Sequence, residues 1–321
     1  MMMIMKKLLY LCLPLVSFVL LTGCIKENMD DCERCKLTFT YLADVNEDVF
    51  PNHITSVSLY VFDSKDQLIR TKRLEQNDLK AYQGVNLNLN PGKYRIVGVG
   101  NCNELTEVYN TDARDMSQTH FRHPDCFDRE VESNDSLYLG AKEITIPEEY
   151  WYKDNIRFYS SHLKVLYTVK DYVTMDNAEA SSTRARESAL ELRVKNLLPQ
   201  TDFDNRAYGE KVCYNPELKI KDGTWNHEVY FHIMRHSATS DVEFELVDTT
   251  TGEVIHTLAL SKFLQLYPQI NVTKQEVLIP IEVVFKNGNI TVQIPEWVVV
   301  DDVIPDFEED EQGNTDENTN F

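Results

Sequence analysis

The sequence predicts an all-β protein built from two tandem β-sandwiches. Apolar and polar side chains alternate at period two in many short segments, which is typical of half-buried strands. These segments recur roughly every 8 to 20 residues and are joined by polar turns. No amphipathic pattern longer than about ten residues predicts a helix. About seven strands fall in each half of the chain, as expected for one sandwich per half.

The first half of the chain carries the first series of predicted strands. Leu37, Phe39 and Tyr41 share one face of the opening strand, and a polar turn begins at Asp63. A second turn, around Gly92, separates two further strands. Residues 104–135 lack a clear period and predict a long loop with one short helix. The predicted strands are 36–42, 54–62, 67–74, 85–89, 94–100 and 136–146.

The second half repeats the pattern and then ends in a different composition. Residues 176–187 are rich in Ala, Ser, Thr and Arg and predict an exposed excursion. Residues 301–321 hold nine acidic residues and no basic one, which predicts a mobile acidic tail. The predicted domains are an N-terminal sandwich over 36–155 and a C-terminal sandwich over 156–300. The predicted strands are 157–169, 189–197, 228–234, 242–247, 254–260, 277–285 and 290–294.

Composition and charge exclude some classes of partner. The 321 residues are 42% hydrophobic and include 32 Lys and Arg against 52 Asp and Glu, a net charge of −20. Such a chain is repelled by phosphate backbones, so no nucleic acid is expected as a partner. The length allows one large or two medium domains, each with its own core.

The first 23 residues are predicted to be a lipoprotein signal peptide. Lys6 and Lys7 precede an apolar run over 8–21, which is shorter than the ~20 residues that span a bilayer. The run ends in Leu-Thr-Gly before Cys24 and resembles the lipobox of bacterial lipoproteins, in which the cysteine carries the lipid. The alternative is a soluble-secretion signal with an incidental cysteine. Residues 24–35 would then form a lipidated tether.

The residues that follow Cys24 bear on where the protein is displayed. The stretch 25–31 is acidic and resembles the signal that sends lipoproteins of Bacteroidetes to the cell surface. A short acidic linker is also an ordinary solvated tether. The expected location is the cell outer membrane, with surface exposure.

Five of the seven cysteines remain outside the signal peptide and the lipid site, and they are candidates for disulfides. An odd number leaves at least one thiol free or paired elsewhere. Cys32 and Cys35 have the spacing of a redox motif or half a zinc site, but no second pair at matching spacing accompanies them. Structural disulfides are therefore favoured, without a defined connectivity. The candidates are Cys32, Cys35, Cys102, Cys126 and Cys213.

No constellation in the sequence predicts an enzyme, a cofactor or a metal. His227 and His232 superficially resemble a zinc-protease motif, but the spacing is wrong and a strand would turn them to opposite sides. His120 and His123 near Cys126 could hold a metal in a loop, yet a solvated loop is favoured because a fourth ligand is missing.

Aromatic residues leave a glycan-binding alternative open. Trp151 and Trp225, with Tyr150 and Tyr152, could form a platform on which sugars stack. Core or interdomain packing is the commoner fate of such side chains.

Several motifs resemble the FimB-like fimbrial anchor lipoproteins of Bacteroidetes. Residues 35–41, then Val49-Phe50 ahead of 54–63, resemble their opening strands, and Pro91-Gly92-Lys93-Tyr94 resembles the turn before their next strand. The lipobox and the cysteine just ahead of the first strand match as well. Residues 290–294 with Trp297 resemble the closing strand. The likeness runs from Cys24 to about Trp297, and it departs at Cys32 and over 104–135.

The resemblance implies two transthyretin-like β-sandwich domains and a structural role at the base of a fimbrium. Family members attach the polymer to the outer membrane through their lipid and limit its length. The implied partner is the first shaft subunit, bound by strand addition. The alternatives are a surface glycan-binding lipoprotein and an accessory or tip subunit. Residues 290–300 would either close the second sandwich or be offered to the shaft subunit.

Overall fold

A computed structural model describes residues 34–111, 118–149, 151–172, 189–221, 224, 226–286 and 288–297. The predicted signal peptide, most of the tether, the excursion at 176–187 and the acidic tail lie outside the described residues. The described chain is mainly β-structure, which confirms the predicted fold class.

The first half contains the six predicted strands and several further ones. They are β1 Cys35–Thr40, β2 Val57–Asp63, β3 Leu68–Leu74, β4 Gly84–Leu87, β5 Gly92–Gly100, β6 Glu107–Tyr109, β7 His120–Arg122, β8 Tyr138–Ile146, β9 Tyr152–Arg157 and β10 Tyr159–Ser160.

The strands of the second half include several short ones between the predicted segments. They are β11 His162–Lys170, β12 Leu190–Leu197, β13 Gln200–Asp202, β14 Ala207–Tyr208, β15 Val212–Tyr214, β16 Lys219–Ile220, β17 His227–Met234, β18 Glu243–Asp248, β19 Val254–Ala259, β20 Leu278–Lys286 and β21 Asn289–Gln293.

The described helices are short and sit between strands. They are α1 Phe50–His53, α2 Gln76–Ala81 and α3 Leu260–Leu266. Helix α1 has a proline in its first turn, and α2 begins with a capping box between Glu75 and Asp78. None of these helices is long enough to show a helical period of apolar residues in the sequence.

Two sheets enclose the first core, and we call them the first pair of sheets. Their strand orders are β4-β1-β9 and β10-β8-β5-β2-β3. Strand β1 lies inside its sheet, antiparallel to β4 and parallel to β9. The alternating side chains Leu37 and Phe39 are buried, as the period-two pattern predicts, and they pack with Phe158.

Two facing glycines allow this core to close. Gly98 on β5 and Gly140 on β8 are register partners. A Cβ on Gly98 would lie 2.8 Å from the ring of Phe158, and one on Gly140 would lie 2.8 Å from Ile156. The segment after β9 can therefore pack directly on the backbone of these strands.

A second pair of sheets encloses the second core. Their orders are β16-β17-β11-β20-β21 and β15-β12-β18-β19. Strand β11 pairs antiparallel with β17 and parallel with β20. Val165 and Tyr167 face inward, and the ring of Tyr167 stacks on Phe244 at 5.9 Å between centroids. The chain passes from the first pair to the second at Ser161, and a division into two separate domains stays a prediction.

The region 104–135 differs from the predicted loop. Its described part contains the strands β6 and β7, which join β13 and β14 in a sheet of order β14-β13-β7-β6. These strands have two or three residues each, too few to show an alternation in the sequence. The sheet contains strands from both halves of the chain and links them.

Candidate functional site

The described chain begins where the predicted tether ends. Cys24 and Cys32 lie outside the described residues, so lipid attachment stays a prediction. Arg34 is the first described residue, and its carbonyl accepts the backbone N–H of Tyr152 at 2.9 Å. Strand β1 then runs from this end of the first pair of sheets toward Tyr41 at the other end. The tether therefore enters at the end that lies away from the second pair of sheets.

The four described cysteines are free thiols in separate environments. Cys35 lies in the first core and Cys126 in the second, whereas Cys102 packs in a cluster between the halves. Cys213 is exposed on β15. Burial, the largest cause, raises the pKa of Cys35 and Cys102 to about 11. No disulfide joins these four residues, and a disulfide that includes Cys32 stays a prediction.

A polar cluster joins the two pairs of sheets, and Glu276 lies at its centre. The hydroxyl of Tyr138 donates to Oε1 of Glu276 at 3.0 Å, and Tyr41 also donates to this atom. Lys164 forms an ion pair with Oε2, and Nδ1 of His53 lies 3.4 Å from Oε1. Burial alone would raise the pKa of Glu276, but the hydrogen bonds from Lys164 and Tyr41 outweigh it, and the pKa is lowered.

Two further groups hold the loop that carries Glu276. The carboxylate of Asp44, from the first half, accepts the backbone N–H of Gln275 at 2.8 Å. Arg235 donates to the carbonyl oxygens of Val272 at 2.6 Å and of Gln275 at 3.0 Å. The same guanidinium reaches the carbonyl of Ser160 at 3.1 Å through Nε. The relative position of the two pairs of sheets is therefore fixed by many directional bonds.

An apolar contact supports the same joint from another side. Phe203, which follows β13, packs against the rings of Tyr60 at 5.7 Å and Phe62 at 6.0 Å between centroids. Next to it, Arg95 and Asp204 form an ion pair at 2.7 Å. The buried cluster around Phe203 contains residues of both halves. We call this cluster and the Glu276 cluster together the joint.

Strand β21 is an edge strand without charged side chains. It pairs with β20 on one side, from Asn289 to Gln293, so these residues close the second pair of sheets. Ile290 and Val292 pack against the second core. The hydroxyl of Tyr267 donates to the carbonyl of Val292 at 3.2 Å. This carbonyl of the edge strand therefore already has a hydrogen-bond partner.

One edge strand of the first pair of sheets, β3, has a different chemistry. Strand β3 carries Arg70, Lys72 and Arg73, and all of these side chains are exposed. Charged side chains on an edge strand discourage pairing with another chain. Of these two edges, β21 is the better surface for an added strand.

The two histidines of the possible metal loop make local contacts in the structure. Nδ1 of His120 lies 3.0 Å from the carbonyl of Gln118, and Nδ1 of His123 accepts the N–H of Asp125 at 3.1 Å. Among the described residues, no three His, Cys, Asp or Glu side chains are arranged to hold a metal ion.

The aromatic residues of the suggested sugar platform are only partly described. Trp151 is 57% exposed, and the hydroxyl of Tyr152 donates to Asp154 at 2.6 Å. Tyr150 and Trp225 lie outside the described residues. Of the two described members of this group, Trp151 is the exposed one.

The fold and the joint define a class of β-sandwich protein in which two pairs of sheets are held in a fixed relative position by specific contacts. A family model described as "Fimbrillin-A associated anchor proteins Mfa1 and Mfa2" matches residues 29–303. The chain therefore belongs to this family, which confirms the resemblance seen in the sequence. The family is a structural one of fimbrial anchor proteins, associated with fimbriae at the cell surface.

Solved structures with a similar fold come from Bacteroides and Porphyromonas species. A candidate adhesin of Bacteroides ovatus has 17% identity and a TM-score of 0.64, over 82% of this chain and 94% of its own. A candidate polysaccharide-binding protein of Bacteroides thetaiotaomicron has 14% identity and a TM-score of 0.63, over 82% and 98%. The fimbrial anchor protein Mfa2 of Porphyromonas gingivalis has 13% identity and a TM-score of 0.60, over 80% and 94%. At such identities the likeness is one of fold.

Two further findings complete the comparison. No curated protein matches the chain in sequence. None of the helices in the described residues has the length and apolar character needed to cross a lipid bilayer.

Proposed function

We propose that the protein anchors a fimbrium to the outer membrane and limits its length, with lipid on Cys24 and the first shaft subunit bound by strand addition. Family membership supports the fimbrial role. The observation that carries the mechanism is the uncharged edge of β21, in the half of the molecule that lies beyond the joint from the tether.

The lipid would supply the attachment to the membrane. Each buried CH₂ group contributes ~0.8 kcal/mol, so two or three acyl chains hold a protein stably without a basic patch. The lipobox before Cys24 supports this step. A chain with a net charge of −20 could not rely on electrostatic attraction to anionic lipid.

Strand addition would supply the attachment to the shaft. A strand from the shaft subunit would pair with the outer edge of β21, where backbone hydrogen bonds give affinity and side-chain pockets give register. The partner would meet the exposed residues Asn289 and Thr291 and no charged side chain. The contact of Tyr267 with Val292 limits how far the added strand could extend.

The joint suits this role because a fimbrium under flow pulls on both ends of its anchor. The load would enter at β21 and leave through the tether before β1. Between them lie the bonds of Glu276, Asp44 and Arg235, which connect the two pairs of sheets.

The test is Cys24→Ala in the native host, with fimbriae scored on cells and in the medium. Fimbriae shed with the unlipidated protein at one end are the expected result. Fimbriae retained on cells while this protein alone is released would refute the anchor role. Cys12→Ala, within the predicted signal peptide, is the matched control and should leave attachment unchanged.

A glycan-binding lipoprotein is the second candidate, supported by the exposed Trp151 and by the fold shared with a candidate polysaccharide-binding protein. Binding to a glycan array that is lost in Trp151→Ala would favour it. An accessory or tip subunit of the same fold is distinguished by its position, because immunogold labelling would then place the protein away from the fimbrial base.

A further inference from the structure

A cavity with two arginines lies at the end of the first pair of sheets where the tether enters. Its volume is about 350 Å³. Arg34, Arg70 and Tyr94 line it, together with Asn88 and Ile69. The described residues that line it include no carboxylate, although the chain has 52 acidic residues.

The side chains of Arg34 and Arg70 carry the positive charge of this cavity. Neither the Arg34 nor the Arg70 guanidinium forms a hydrogen bond or ion pair with any residue that the structure describes. The hydroxyl of Tyr94 donates to the carbonyl of Asn90 at 3.0 Å, which orients the ring at the wall of the cavity. Guanidinium groups bind phosphate oxygens in bidentate geometry, so a phosphate group is the ligand that this cavity fits.

The position of the cavity indicates where the phosphate comes from. Arg34 is ten residues from Cys24, and an extended chain of that length spans at most about 35 Å. This end of the molecule is therefore the one held near the membrane when Cys24 carries lipid. Gly92 and Ile146 are register partners at this end, whereas Gly100 and Tyr138 are partners at the joint.

Exposed apolar side chains lie at the same end. Trp151 precedes β9 next to the register pair of Cys35 and Tyr152, and it is 57% exposed. Ile69, at the cavity, is 49% exposed. Tryptophan is enriched at the level of lipid headgroups, because its ring is apolar and its N–H is polar.

We propose that the cavity between Arg34 and Arg70 binds the phosphate of a membrane lipid headgroup and rests this end of the protein on the membrane. The inference rests on the proposed lipid attachment at Cys24. It adds a second contact that fixes the tilt of the anchor.

The test uses the lipidated full-length mature protein in vesicles of phosphatidylcholine and phosphatidylglycerol. Trp151→benzoylphenylalanine places a photoreactive group at the same end of the molecule as the cavity. Trp297→benzoylphenylalanine is the matched control, since Trp297 is 60% exposed but follows β21. Irradiation followed by mass spectrometry then counts lipid adducts at each position.

We expect adducts at position 151 and few at position 297. Arg34→Gln with Arg70→Gln should lower the yield at 151 about tenfold, because the two cations bind the phosphate together. Lys262→Gln with Lys286→Gln makes the same change of charge in the second half and should have no effect. Vesicles of a neutral galactolipid, which has no phosphate, should give the yield of the arginine variant.

Each other outcome overturns the inference. Equal numbers of adducts at positions 151 and 297 would refute the phosphate contact. An unchanged adduct yield at 151 in the arginine variant, or in vesicles of the galactolipid, would refute it as well. Binding of inorganic phosphate in the absence of vesicles, together with no lipid adduct at 151, would make free phosphate the ligand in place of lipid. If the protein sediments with the vesicles but gives no adduct at 151, this inference alone is refuted. If the protein does not sediment, the proposed lipid anchor at Cys24 is refuted as well.

Discussion

The hydroxyl of Tyr138 donates a 3.0 Å hydrogen bond to Oε1 of Glu276, and the two residues are 138 positions apart in the chain. Tyr138 belongs to the first pair of sheets, whereas Glu276 lies in the loop before β20 of the second. The bond is part of a cluster with Lys164, whose ammonium is mostly buried beside the same carboxylate. This cluster makes the relative position of the two halves a property of specific side chains.

Glu276→Gln should destabilise the protein by about 3 kcal/mol, because Lys164 would keep a mostly buried charge without its partner. Chemical denaturation followed by tryptophan fluorescence measures this change in the free energy of unfolding. Glu148→Gln, at an exposed position, is the matched control and should stay within about 0.5 kcal/mol of wild type. Equal effects of the two substitutions would show that the cluster does not stabilise the joint.

His162 should make the protein less stable in acid. Burial, the largest cause, lowers the pKa of His162 to about 3 from the usual 6.5. The unfolded chain therefore takes up a proton below pH 6.5 while the folded chain does not, and stability falls as the pH drops from 6.5 toward 3. The loss between pH 7 and pH 5 is about 2 kcal/mol.

His162→Gln tests this assignment. The variant should show a flatter dependence of unfolding free energy on pH between 7 and 5. The neighbouring His232 and the buried His236 also have lowered pKa values, so part of the slope should remain. A variant with the full wild-type slope would assign the acid sensitivity to those groups.

Several long strands could be predicted because apolar residues recur at every second position along them. In β1 the residues Leu37 and Phe39 alternate with polar neighbours, and the structure places both in the core. Strand β11 was predicted for the same reason, since Val165 and Tyr167 alternate on its inner face. Strands of two or three residues, such as β13, have no such period.

The joint could not be predicted from the sequence. Glu276 meets Tyr41 across 235 positions, and no local pattern marks a carboxylate that will be buried. The cavity at Arg34 and Arg70 depends in the same way on strand order. Cys24 could be proposed as the lipid site because the lipobox is a local motif that does not depend on the fold.

Thr291→Lys should weaken binding of the shaft subunit about tenfold, since a lysine on an edge strand disfavours pairing with an added strand. Thr291 is exposed on β21, so the fold should be retained. Thr71→Lys makes the same change on β3, the edge of the first pair of sheets, and should leave binding unchanged. Affinity is measured by titrating labelled shaft subunit against each purified variant. Equal loss in both variants would refute β21 as the binding edge.

Deletion of residues 298–321 separates the two hypotheses for the C-terminal segment. Residues 289–293 pair with β20, which favours a closing strand over one offered to the shaft. If β21 is the acceptor, the deletion should leave fimbriae attached, because every residue of β21 is kept. If the segment after Trp297 is the donated strand, attachment should be lost. Counts of cell-bound and shed fimbriae in the native host distinguish the outcomes, and normal amounts of the truncated protein in the outer membrane exclude a failure to fold.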